Sequence, residues 1–183
     1  VFTASDPTNL AFLGPLVGAL MRVVGGWLSD KFPASKVTQA SFIIMILAVI
    51  GVMIFLPQNG QGGSFIGFFA SFMLLFAATG IGNASTFAQA PRIFSALHRH
   101  HAKVFGLSEA EADNNAAKES AAVVGFMGAV GAYGGFFIPK SFGTSIDLTG
   151  SAMMALICFI LFYCCCIAIN WWFYARKNAE VKC

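Results

Sequence analysis

The chain has 183 residues, of which 57% are hydrophobic and only 10% charged, with a net charge of +3 and a mean hydropathy of +0.75. A soluble domain carries charge on about a quarter of its residues, so this composition excludes an ordinary water-soluble fold. The few charges gather into islands and leave five apolar stretches, each close to the roughly 20 helical residues that cross a hydrocarbon core about 30 Å thick.

The first predicted span runs from about Asn9 to Leu28. No basic residue precedes it, so it does not read as a cleaved targeting peptide. A start at Val1 rather than Met points to a fragment of a longer chain. Arg22 is the only ionisable residue well inside any of the five stretches, about 10 Å from one end of its span at 1.5 Å per residue. At mid-depth such a charge costs at least ~2.5 kcal/mol, so something must offset it. Two readings are open: a side chain that snorkels to the interface, or a fixed cation lining a hydrated cavity. Arginine suits a flat oxyanion in particular, because its fork of donors matches two coplanar oxygens and its charge is permanent.

Small residues and a charge pair, Gly25-Gly26-Trp27-Leu28-Ser29-Asp30-Lys31, close this span. The second is expected over Val37 to Leu56 and the third over Phe65 to Gln89. Within the third, Gly80-Ile81-Gly82-Asn83-Ala84-Ser85-Thr86 forms a small, polar patch that can bond across helices, bond back to its own carbonyls, or line a passage. Pro91 is expected to kink or end that helix. The segment from Arg92 to Ala116 reads as a basic loop. Its His98, His100 and His101 read as a solvated anchor rather than a metal site. Ser108-Glu109-Ala110-Glu111 resembles a capping box that starts a short helix or extends the fourth span.

The fourth span is placed over Ala117 to Ile138. Gly125, Gly128, Gly131, Gly134 and Gly135, with Ala129 and Ala132, leave one side of it almost free of side chains, which predicts close approach of another backbone. A loop from Pro139 to Gly150 leads to the fifth span, Ser151 to Tyr174. Its Cys158, Cys164, Cys165 and Cys166 have no metal-ligand geometry and read as small apolar filler, as no His or carboxylate accompanies them there.

Basic residues alternate with this topology. Lys31 and Lys36, then Arg92, Arg99, Lys103 and Lys118, then Arg176, Lys177 and Lys182 fall on one side against Lys140 alone in the loops of the other, and the positive-inside rule makes the basic side cytoplasmic, with the C-terminus inside and the N-terminus outside. The eight carboxylates all lie in loops, ends or tail. This part of the protein therefore offers no buried acid for a proton relay, which favours exchange over proton coupling. No catalytic constellation, cofactor motif or metal site is legible, and the net charge is accounted for by inside-facing loops rather than by nucleic-acid binding.

Two sets of residues carry resemblances. The segment Gly25 to Lys31 resembles the loop motif of the major facilitator superfamily, in its second-half copy, with Phe32-Pro33 where a glycine is usual. Gly14 to Gly26, Gly60 to Phe65, and Gly125 through Gly143 together resemble the nitrate/nitrite porters of the NarK/NarU type, over essentially the whole chain. The span-four segment resembles the second copy of that family's nitrate signature. The resemblance implies an all-α membrane protein, with residues 1–183 a C-terminal half-bundle supplying helices eight to twelve of a twelve-helix transporter. The first half and helix seven would lie elsewhere. It implies secondary transport of nitrate and nitrite across the cytoplasmic membrane by alternating access, without a cofactor. Arg22 would hold the anion opposite an arginine of the missing half, and Gly125, Gly128 and Gly131 would line or abut the same site. Asn83, Ser85, Thr86, Ala129, Ala132, Gly134 and Gly135 would support it, and Asp30 would latch onto neighbouring helix ends. The alternative is a facilitator carrier for another small anion or an organic solute, with Arg22 as a structural or gating charge.

Overall fold

A computed structural model describes residues 10–57, 62–106 and 108–176. Among the described residues there are five α-helices: α1 (Leu13–Lys31), α2 (Ala34–Phe55), α3 (Phe65–Phe105), α4 (Glu109–Thr149) and α5 (Met153–Asn170), the last continued by a π-helical turn over Trp171–Ala175. Four of them, α2, α3, α4 and α5 with its π turn, are long and apolar enough to cross a membrane. The remaining helix, α1, carries Arg22, Asp30 and Lys31 among its 19 residues, which lowers its apolar content. Asp6, Lys177, Lys182, Glu180, Cys183 and Gln58, Asn59, Gly60 and Gln61 of the uncharged turn fall outside the described residues.

The bundle is organised around α3, which packs against α1 on one side and α2 on another. Between α1 and α3 the contact is backbone to backbone. A Cβ added at Gly80 would strike the carbonyl oxygen of Gly18, and one at Gly25 would lie 2.7 Å from the Cα of Ile81. The small-residue packing that lets membrane helices approach is therefore realised here. Between α2 and α3 the contact is polar at its centre. The Thr38 and Ser85 hydroxyls are 2.8 Å apart, and the buried Gln89 amide donates to Thr38 Oγ1 at 2.6 Å. Farther along, Val49, Val52 and Leu156 form the apolar core shared by α2 and α5. At the other end of that pair the buried Asn170 amide donates to the Ser35 carbonyl at 2.9 Å and to Gln39 Oε1 at 2.7 Å.

Two expected helix ends are overrun. Pro91 lies inside α3, which continues to a left-handed cap at Gly106 (φ 69°). Pro139 lies inside α4, which continues to Gly150 (φ 71°). A proline removes one intrahelical bond, and the helix resumes where the following residues favour it. After Pro91 the added turns are also held laterally. His98 Nε2 lies 3.0 Å from Glu119 Oε2, at ion-pair distance without hydrogen-bond alignment, and Arg99 Nε donates to Asp113 Oδ1 at 3.0 Å. The hydrogen bond to Asp113 raises the already high pKa of Arg99, so this charge is permanent. After Pro139, Ser145 Oγ donates to the Ser151 carbonyl at 2.7 Å and accepts from Ala155 N at 3.2 Å, tying the end of α4 to the start of α5.

The expected loop from Arg92 to Ala116 is thus mostly helix, as is the expected loop from Pro139 to Gly150. Each of α3 and α4 has 41 residues, about 60 Å at 1.5 Å per residue and roughly twice the hydrocarbon thickness. Ser108 caps α4 by accepting from Glu111 N at 3.2 Å, as the sequence suggested. His98 is largely shielded rather than solvated, while His100 and His101 are exposed. Of the four described cysteines, Cys158, Cys164 and Cys165 are exposed on α5 rather than filling the interior, and all four are unbridged.

Candidate anion site

Arg22 can be located from the packing of its own helix. With Gly25 as reference and about 100° per residue, Gly14 and Gly18 fall within about 20°, which makes this line the seam against α3. Met21 and Leu28 lie about 40° and 60° to one side, where they wall an apolar groove shared with α2. Arg22 lies about 60° to the other side. It is exposed, and among the described residues it has neither a hydrogen bond nor an ion pair.

The same construction on α3 uses Gly80 as reference. Ile81, which lines the groove, is about 100° to one side, and Asn83 is about 60° to the other. Gly18 meets Gly80 and Gly25 meets Ile81 and Ala84, so α1 and α3 run parallel and Arg22 is level with the neighbourhood of Asn83. Arg22 and the half-buried Asn83 therefore share one flank of the α1–α3 seam, at one depth, opposite the groove. A permanent cation beside a neutral amide can hold a small anion through charge-assisted donors.

The other expected residues divide. Ser85 is fully buried and binds Thr38 and the Gly82 carbonyl, so it is a tie between α2 and α3. Thr86 bonds back to the Gly82 carbonyl at 2.7 Å. Asp30 lies 3.6 Å from an Arg92 nitrogen, and Arg92 also donates to the Ser29 carbonyl. The loop motif is thereby clamped to α3 by a base that sequence reading had assigned only to a loop. A Cβ added at Gly125, Gly128, Gly131 or Gly135 would meet nothing within 4 Å, and one at Gly134 only Ile138 of its own helix. Ala129 and Ala132 are exposed on the same helix. Among the described residues the stripe is therefore not a packing seam, since no neighbouring helix comes close to these glycines.

Four helices long and apolar enough to cross a membrane, packed with α1 into one bundle, define the class: a multi-pass membrane protein. No family model matches the chain. Over 175 residues, 95% of its length, it is 43% identical to the nitrate/nitrite transporter NarU of Escherichia coli K12. It is 45% identical over 172 residues to NarU of Salmonella typhimurium, and 33% identical over 180 residues to the probable nitrate/nitrite antiporter NarK2 of Thermus thermophilus. The chain spans 36% to 37% of the length of these three relatives. Its similarity to nitrate/nitrite transporters thus extends along nearly all of its own length, in agreement with the resemblance carried by its motifs.

Proposed function

We propose that this chain is the C-terminal part of a nitrate/nitrite transporter of the cytoplasmic membrane and that Arg22 binds the anion. The observation that carries the reading is the unpaired, exposed guanidinium on the flank of α1 away from the apolar groove, level with Asn83. In the whole transporter that flank faces the first half, which supplies a second arginine across the pathway. The anion neutralises the facing cations, and the two halves then rock about a midplane site. The uncovered glycines of α4 give the moving surface backbone but no bulk. Because no Asp, Glu or His among the described residues lies near Arg22 on α1, exchange of one anion for another is favoured over proton coupling. The three basic sites support a cytoplasmic C-terminus and a cytoplasmic α3–α4 turn.

Proteoliposomes holding the full-length parent and loaded with nitrite test this. External nitrate should drive nitrite out with wild-type protein and not with Arg22→Lys, which keeps the charge and loses the fork. Counterflow that survives Arg22→Lys at the wild-type rate would exclude bidentate recognition at this residue.

A further inference from the structure

The groove on the far flank of α1 is a second feature with its own chemistry. Met21 and Leu28 of α1 form one wall, Ala40 and Ile44 of α2 the other, and Leu74 and Ile81 of α3 the floor, enclosing about 430 Å³. The lining is apolar apart from Ser41, whose hydroxyl donates to the Val37 carbonyl of its own helix, and Lys36, which borders one end beside the turn between α1 and α2. Lys31, the last residue of α1, stands at the same end, with Nζ 4.0 Å from the centre of the Trp27 ring. The nearby carboxylate, Asp30, is engaged by Arg92. Among the described residues neither Lys31 nor Lys36 has a carboxylate partner. A slot lined almost wholly by hydrocarbon, with Lys36 on its rim and Lys31 at the adjoining end of α1, has the polarity of one lipid molecule, tail in the slot and acid at the mouth.

We propose that this groove binds an anionic phospholipid, one acyl chain lying on α3 between α1 and α2 and its phosphate held between Lys31 and Lys36. A zwitterionic lipid is not selected, because its own ammonium meets two lysines. Trp27 sits at the depth where aromatic rings favour the headgroup boundary and backs the Lys31 ammonium. The lipid would brace α1 on its outer flank, across the seam from Arg22. It is distinct from the anion site and does not depend on the transported substrate.

The test uses the full-length parent, delipidated in detergent and titrated with phosphatidylglycerol or with phosphatidylcholine of the same chains, with retained lipid counted by native mass spectrometry. Wild-type protein should retain one phosphatidylglycerol that phosphatidylcholine does not replace. Each basic residue near an anionic lipid is worth roughly fivefold in affinity, so Lys31→Gln with Lys36→Gln should weaken that retention roughly thirtyfold. Lys31→Arg with Lys36→Arg should preserve it. Ala40→Trp, which fills the exposed groove wall and leaves both lysines, should also abolish it. Loss with the glutamines but not with Ala40→Trp would mean general attraction to the basic surface and would overturn the site. Equal retention by all variants would overturn it as well. Size-exclusion profiles identify any variant that fails to fold, and the arginine pair then decides the charge requirement.

Discussion

The glycines of α1, α3 and α4 differ in what surrounds them, and alanine substitution should separate two kinds of glycine. At Gly80 an added Cβ would fall on the Gly18 carbonyl oxygen, which is backbone and cannot rotate away. The two helices would have to move apart along a seam that also includes Gly14 and Gly25. Overpacking of this kind costs about 1–3 kcal/mol. At Gly128 an added Cβ meets nothing within 4 Å. There alanine should be neutral, or should stabilise the helix by up to about 1 kcal/mol through its better helix propensity. Thermal unfolding of the purified full-length parent should therefore show Gly80→Ala melting several degrees low and Gly128→Ala at or above the wild type. Exchange measured on the same preparations should fall with Gly128→Ala in spite of its intact stability, because that surface is proposed to face the moving half. Destabilisation by Gly128→Ala equal to that by Gly80→Ala would refute this reasoning and make the α4 stripe an ordinary packing seam.

Thr38→Val should destabilise more than Ser85→Ala, since it takes the acceptor from the buried Gln89 amide as well as the partner of Ser85. Interhelical hydrogen bonds in membranes average about 0.6 kcal/mol, so differences of about 1 kcal/mol in unfolding free energy are expected, not several. Arg92→Ala should cost more than Asp30→Asn, because Arg92 also donates to the Ser29 carbonyl. Asp30 is largely exposed, so its own substitution should stay within about 1 kcal/mol in the same unfolding assay. Asn170→Leu should free the end of α5 from α2, seen as faster amide exchange around Ser35 and Gln39. Disruption of the Arg99–Asp113 pair should show only at low salt, if at all, since both side chains are about half exposed or more.

The helical architecture was legible because apolar runs of spanning length leave little else for the backbone to do in lipid, where its polar groups must be satisfied internally. The helix ends were not. Pro91 and Pro139 mark local loss of a single bond, whereas continuation depends on what the next turns touch, such as Glu119 beside His98 and Ser151 beside Ser145. Arg22 stood out because a charge in an apolar run has few explanations. Its flank could be assigned only once Gly18 and Gly25 were seen against α3. The same helix-to-helix register separated Asn83, which shares Arg22's flank, from Ser85, which is spent on holding α2. Arg92 was hidden for the opposite reason: in a basic cluster, nothing in sequence distinguishes the one residue that reaches back to Asp30.

Equilibrium binding of nitrate to the purified full-length parent, with no transport step involved, probes the Arg22 assignment most directly. Arg22→Lys should weaken binding by roughly tenfold or more and Arg22→Gln further, on the scale of about 1.5–3 kcal/mol for a hydrogen bond to a charged group. Nitrate affinity unchanged in both variants would contradict a role for this guanidinium in holding the anion.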